Sequence, residues 1–237
     1  MTVAHIAHAI FQTLRISVPT VWDSLRGNLS PELIDQRLEE WSGRIVRRAQ
    51  IDLQVGGLEH APDGESLVLM SNHQSLYDVP VIYQALHRRI RMVAKSELFR
   101  VPIWGTAMKK AGFIELHRSD RGQSRQALLA SADMLGAGTS IWIAPEGTRS
   151  PTGEIGTFRK GGFHLALRSG ARILPISLVG THHVLPAKGM RITDGCSVRV
   201  VVHPPVDPNA YGEAKLEELT EAVQRAIASA LPSDPQD

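Results

Sequence analysis

The chain has 237 residues, 43% of them hydrophobic, with a single cysteine and a formal net charge of +2. One thiol excludes an intrachain disulfide framework, and the apolar content suffices for one sizeable core. Aromatic residues make up only 5%, and no nucleic-acid-binding motif accompanies the basic residues, so no nucleic-acid partner is expected.

The first predicted element is an amphipathic helix. Val3, Ile6, Ala7, Ile10, Phe11 and Leu14 recur at steps of three and four, with His5, His8 and Gln12 elsewhere on its surface. Pro19 and a loop follow it, and Ser30-Pro31 opens a second helix. There Ile34, Leu38, Trp41 and Ile45 form one stripe, while Asp35, Glu39, Glu40 and Arg47 decorate the other faces. The two stripes can pack against each other or lie in a bilayer interface. No stretch reaches the roughly 20 apolar residues of a spanning helix, and the basic leader of a signal peptide is missing.

Strands are expected near residues 51–55, 66–71, 91–95, 112–116, 140–144, 172–179 and 197–203, and further helices at 79–86, 121–136, 161–169 and from Leu216 to Ile227. This alternation predicts an α/β fold, a single mixed, largely parallel sheet flanked by helices. An amino-terminal helical membrane-association region at 1–48 then precedes an α/β domain at 49–237.

Between the strand ending near Met70 and the helix carrying Pro80 in its first turn lies Asn72-His73-Gln74-Ser75-Leu76-Tyr77-Asp78. A helix brings residues three or four apart together, so a histidine and a carboxylate five apart need a turn between them. Histidine accepts protons near neutral pH, and a carboxylate on its second nitrogen fixes the tautomer and stabilises the imidazolium. The same residues also fit a capping box, Ser75-x-x-Asp78, or a plain N-cap at Asp78, with His73 an ordinary buried histidine.

Between Arg88 and Arg125 ten Lys/Arg stand against three acidic residues, a local excess of +7. Such a segment suits anionic headgroups or a phosphorylated substrate, and equally a solvated surface. Lys95, closing a strand-like run, is its candidate for a phosphate pocket. Gly112-Phe113-Ile114-Glu115-Leu116-His117-Arg118 then places a further arginine after a short apolar stretch.

The buried run Ser140–Ile143 feeds Ala144-Pro145-Glu146-Gly147-Thr148-Arg149-Ser150, followed by Phe158-Arg159-Lys160-Gly161-Gly162. The planar fork of an arginine matches phosphate oxygens, and glycines admit an anion close to the backbone, which makes Arg149 a candidate clamp. A turn holding a local Glu146–Arg149 ion pair is the alternative. Ile173–Val179 is the last apolar block and contains a proline. The adjacent His182 and His183 are expected to diverge, without the spacing of a metal site. Cys196, after Asp194-Gly195, reads as a small residue near a turn.

Four blocks in this order resemble the glycerolipid acyltransferase family, which includes 1-acylglycerol-3-phosphate acyltransferases and whose blocks look like NHxSxxD, GxIxIxR, EGTR and an apolar block with proline. The resemblance spans roughly residues 50–205. It implies that His73 is the general base and Asp78 its orienting partner. Glu146, Gly147, Thr148 and Arg149 would form the acceptor site, Arg149 meeting the acceptor phosphate, and Arg118 would also bind the acceptor. His117 stands where the family often has aspartate.

The implied activity is acyl transfer from acyl-CoA or acyl-carrier protein to a lysophospholipid hydroxyl, lysophosphatidate to phosphatidate. No cofactor or metal beyond the thioester co-substrate is expected. The protein would sit peripherally on the cytoplasmic side of a membrane surface. The chain lacks a G-x-S-x-G elbow and has one cysteine, which agrees with direct transfer rather than an acyl-enzyme. The rivals are another lysolipid acceptor, a thioesterase using the same pair to activate water, and a non-catalytic lipid-binding protein.

Overall fold

A computed structural model describes residues 2–117 and 120–232. Seven strands form one sheet: β1 (Asp52–Gly56), β2 (Val68–Ser71), β3 (Ile90–Lys95), β4 (Ile114–Leu116), β5 (Ser140–Ile143), β6 (Ile173–Val179) and β7 (Ser197–Val202). Their spatial order is β1-β7-β6-β2-β5-β3-β4. Every neighbouring pair is parallel except β6 and β7, so the sheet is mixed and largely parallel, as expected. Each predicted strand occurs with its ends displaced by no more than two residues.

β2 lies at the centre of this order, which explains its composition. Leu67 and Leu69 point to one apolar cluster and Val68 and Met70 to the other, so consecutive side chains are buried on opposite faces. Among the described residues ten α-helices flank the sheet: α1 (Thr2–Leu25), α2 (Pro31–Arg48), α3 (Asp78–Leu86), α4 (Ser96–Phe99), α5 (Trp104–Lys110), α6 (Arg121–Ala130), α7 (Ala132–Gly136), α8 (Gly161–Ser169), α9 (Thr181–Val184) and α10 (Leu216–Ala228). Residues of α2 and α3 join the first cluster, and residues of α6, α7, α8 and α10 the second. Pro175 is tolerated within the buried β6 because its missing N–H falls opposite His203, beyond the last β6–β7 pair, where its carbonyl still accepts from the His203 N–H at 3.0 Å.

Two expectations are corrected. First, the helix does not end at Pro19. α1 runs through it to Leu25, the Thr20 hydroxyl bonding the Ile16 carbonyl at 2.7 Å beside the proline's missing N–H. Second, the single helix expected over 121–136 breaks into α6 and α7 at Ser131, whose hydroxyl bonds the Leu128 carbonyl at 2.6 Å and competes with the helical ladder. Of the two alternatives for the amino-terminal apolar stripes, packing against each other is not the one observed. Ile34, Leu38 and Ile45 of α2 enter the core, whereas Val3, Ile6, Ile10, Phe11 and Leu14 of α1 stay exposed.

α1 is instead fastened through its polar side. Gln12 accepts from Arg44 at 3.3 Å, Thr13 from the Trp41 indole at 3.2 Å and Thr20 from Arg37 at 3.1 Å. Asp23 also pairs with Arg37, and His5 contacts Asp194 at 2.6 Å and Arg48 at 3.0 Å.

The basic segment is partly internal. Arg91 is buried on β3, where it donates to Asp35 of α2 at 2.7 Å and to the Ala111 carbonyl at 2.6 Å. Arg89 pairs with Asp35 and Glu32, and Arg88 donates to the carbonyls of Pro62 and Glu65. Arg89 and Arg91 therefore dock α2 against the sheet, Arg88 holds the loop before β2, and the +7 excess is smaller at the surface. We expect Arg91→Met to lower unfolding stability by about 1–3 kcal/mol, because it strands the buried Ala111 carbonyl while Asp35 keeps Arg89. Chemical denaturation would check this, and a loss below about 0.5 kcal/mol would show that the guanidinium contributes nothing net.

Candidate active site

The site begins where β2 ends. Asn72 continues the strand's pairing with its side chain, its Nδ2 donating to the Leu178 carbonyl at 2.8 Å and its Oδ1 accepting from the Leu178 N–H at 2.8 Å. The chain then turns, and Asp78 folds back from the first turn of α3. One carboxylate oxygen, Oδ2, lies 2.6 Å from His73 Nδ1 and accepts from the N–H groups of Gln74 at 2.8 Å and Ser75 at 2.9 Å. Asp78 is fully buried, and the His73 side chain retains 20% exposure.

The catalytic and capping readings of this motif therefore coexist on the same oxygen. Ser75 Oγ accepts from the Tyr77 N–H at 3.1 Å while Asp78 receives the Ser75 N–H, so only half of the capping-box pattern forms, and α3 begins at Asp78 with Tyr77 as an N-cap that makes no side-chain bond. With its Nδ1 facing a carboxylate, His73 carries the proton there and keeps Nε2 as a base. Trp142 packs edge-on against the His73 ring, centroids 5.9 Å apart, and its indole is held by Ser71 Oγ at 3.0 Å.

The EGTR loop follows β5, the strand beside β2, and grips His73 from the other side. Glu146 Oε1 accepts from the His73 N–H at 2.9 Å and Oε2 from the Gly156 N–H at 2.8 Å, while the Ser150 N–H donates to the His73 carbonyl at 2.7 Å. Both main-chain polar groups of His73 are thus held by this loop. Burial pushes the Glu146 carboxyl above the usual carboxylate range, partly offset by the Gly156 and His73 N–H groups. The resemblance assigned Glu146 to the acceptor, but both its oxygens are occupied by backbone donors.

Gly147 has φ +71° and lies under Arg159, whose Nε would sit 2.7 Å from any Cβ placed there, so glycine is required. Thr148 is exposed and Arg149 half-buried, and no described carboxylate pairs with Arg149, so the local Glu146–Arg149 ion pair does not form. Lys95 is exposed at the carboxyl end of β3, on the sheet edge that also carries His73 and Arg149. Arg118 lies outside the described residues.

Two side features are settled. The His182 and His183 rings do not diverge but approach to 3.9 Å between centroids, tilted by 42°, with His182 Nδ1 turned to Gln74 Oε1 at 3.1 Å. Burial raises the Cys196 thiol, which disfavours its nucleophilic form. Sequence reasoning missed the supporting roles of Asn72, Trp142, Ser150 and Gly156. Only Asn72, a polar residue directly after the strand-forming run Leu67–Ser71, carried a signal that could have marked it.

A protein-family model described as Acyltransferase matches residues 52–179. The chloroplastic 1-acyl-sn-glycerol-3-phosphate acyltransferase LPAT1 of Arabidopsis thaliana is 34% identical over 65% of this chain and 43% of its own length. The 1-acyl-sn-glycerol-3-phosphate acyltransferase of Borreliella burgdorferi is 30% identical over 77% of this chain and 73% of its own length. The chain spans about half the length of the first plant and algal relatives it matches, from 43% to 53%. The crystal structure of the 1-acyl-sn-glycerophosphate (LPA) acyltransferase PlsC from Thermotoga maritima superposes with a TM-score of 0.74 at 26% identity, covering 97% of each chain. The matched region holds the His73–Asp78 turn, the EGTR loop and strands β1 to β6 in a single run, and the chain belongs to the Acyltransferase family.

Proposed function

We propose that this protein moves an acyl group from an acyl thioester, acyl-CoA or acyl-carrier protein, to the free hydroxyl of a lysophospholipid, with lysophosphatidate becoming phosphatidate. One observation carries the reading: His73 is held by Asp78 at Nδ1, so its Nε2 is free to act as a base. The names of the relatives, 1-acyl-sn-glycerol-3-phosphate acyltransferases, support the acceptor.

In this mechanism His73 Nε2 takes the hydroxyl proton as the alcohol oxygen attacks the thioester carbonyl. The new C–O bond forms, the tetrahedral intermediate collapses, the C–S bond breaks, and the imidazolium returns the proton to the departing thiolate. Asp78 stabilises the imidazolium between the two proton transfers. Arg149, unpaired with any described carboxylate, and Lys95 at the neighbouring strand end meet the acceptor phosphate. Gly147 and Thr148 line the approach, and Arg118 joins them by resemblance alone. Glu146 acts as a brace for the His73 backbone. The transfer calls on no cofactor besides the thioester.

The same reading places the protein on a membrane surface through residues 1–48, with the lipid contact borne by α1. Its outward face is apolar while its inward face is polar, the arrangement of an interfacial helix. No helix among the described residues is long and apolar enough to cross a membrane.

Thiol release from a long-chain acyl-CoA in mixed micelles, with and without lysophosphatidate and with lipid products identified, tests the activity. Acceptor-dependent release matched by phosphatidate is expected, and release of fatty acid alone would instead identify a thioesterase. His73→Ala should lower kcat by about 10²–10⁴-fold in a folded protein. Arg149→Ala should raise the KM for lysophosphatidate by about tenfold or more and leave donor KM unchanged, since a charge-assisted contact to phosphate is lost. For Glu146→Gln the expected change is in kcat, a fall of about tenfold, because the amide cannot accept at both positions. An acceptor KM that rises while kcat holds would return Glu146 to the acceptor site.

A further inference from the structure

Three described non-glycine residues have positive φ, and one of them is unlike the others. Gln50 at 51° and His87 at 45° follow the ends of α2 and α3, where left-handed residues commonly close helices. Ile103, at φ 64° and ψ −58°, occupies a γ-turn that β-branched residues avoid. The turn is held closed, with the Trp104 N–H on the Pro102 carbonyl at 2.7 Å and the Gly105 N–H on the Val101 carbonyl at 2.8 Å. Gly105 itself sits against the backbone of Phe99, where an added Cβ would meet the carbonyl oxygen at 2.1 Å.

The turn leaves apolar side chains at the surface. Ile103 remains 45% exposed and Val101 41% exposed. Ile103 lines one apolar cleft with Val18, Val21, Trp22 and Leu25 of α1, of which Trp22 is 53% and Leu25 75% exposed. The surroundings are basic. Arg15, Arg26 and Arg100 are exposed, none is ion-paired with a described carboxylate, and the Arg26 guanidinium lies 4.4 Å over the Trp22 ring. The one acidic residue of α1, Asp23, is already paired with Arg37.

Topology places this patch beside the chemistry. The turn belongs to the connection leaving the carboxyl end of β3, and β3, β5 and β2 are parallel neighbours, so it shares the sheet edge with His73 and the EGTR loop. The other end of α1 is tied by His5 to Asp194, in the connection leaving the carboxyl end of β6.

From these observations we infer that the Val101–Trp104 turn and the carboxyl-terminal half of α1 form one docking face for an anionic phospholipid surface. The turn is an apolar wedge that sets the catalytic edge against the bilayer. The inference rests on the proposed membrane reading of α1 and adds a second, separately testable contact. The exposed arginines select anionic headgroups, and Val101 and Ile103 enter the acyl boundary.

Ile103→Gly is the discriminating variant, because glycine adopts the turn's φ without strain and removes only the side chain. Binding of the full chain to phosphatidylcholine vesicles with and without phosphatidylglycerol would be measured by sedimentation and Trp fluorescence, alongside thermal unfolding. The wild type should bind the anionic vesicles more tightly, and increasingly so at low salt. Ile103→Gly should bind about five- to tenfold more weakly while its Tm is unchanged or raised. Val101→Ser, which leaves the strained residue alone, should weaken binding in parallel. If both variants bind like the wild type, the turn is not part of the face even though α1 is. A wild type with no affinity for any vesicle would sink the membrane reading of α1 as well. Lipid-free self-association abolished by Ile103→Gly would assign the face to a second copy of the chain and overturn the inference.

Discussion

A single buried oxygen, Asp78 Oδ2, organises the site. A carboxylate removed from water is costly unless it is hydrogen-bonded, and here one atom collects the His73 ring and the N–H groups of Gln74 and Ser75. Those bonds bend the chain between β2 and α3, start the helix and aim the imidazole at once. Ser75 extends the arrangement, since its hydroxyl donates to the Leu185 carbonyl at 2.8 Å and so ties the segment after α9 to the same turn. Loss of the carboxylate would release the imidazole together with the fold of the loop, because one group holds both.

Glu146 supplies the complementary constraint. Its two oxygens and the Ser150 N–H hold the His73 backbone from the loop after β5, so the position of the base depends on two strands rather than one. The electrostatics reinforce the geometry. Burial raises the Glu146 carboxyl, the Gly156 and His73 N–H groups and the His73 ring oppose that shift, and the neighbouring Asp78 adds slightly to it.

Much of this was legible in the chain because it depends on spacing and local pattern. The run of consecutive apolar residues at Leu67–Met70 identified a strand buried on both faces, and the five-residue interval from His73 to Asp78 demanded a turn. What was not legible depends on pairings distant in sequence. No local rule shows that Glu146, 73 positions away, spends its carboxylate on the His73 N–H rather than on a ligand. The same holds for α1. Its periodicity announced an amphipathic helix, but which face turned inward was decided by Arg37, Trp41 and Arg44 of α2, whose side chains take up its polar groups. Pro19 misled because the proline rule concerns one missing N–H, whereas the length of α1 reflects the contacts along its whole inner face.

The inverted polarity of α1 bears on how a small enzyme of this kind would meet its substrates. A lysolipid presents its headgroup and hydroxyl at the bilayer surface and keeps its acyl chain below, so extracting it into water would expose that chain at about 0.8 kcal/mol per methylene. A base placed at the carboxyl edge of the sheet avoids that cost if the same edge faces the lipid. Parallel strands gather their carboxyl ends, and therefore His73, Lys95 and Arg149, along one edge. Under the proposed membrane reading, α1 would set that edge at the interface, and an acceptor moving laterally would need to rise only far enough for its hydroxyl to reach Nε2.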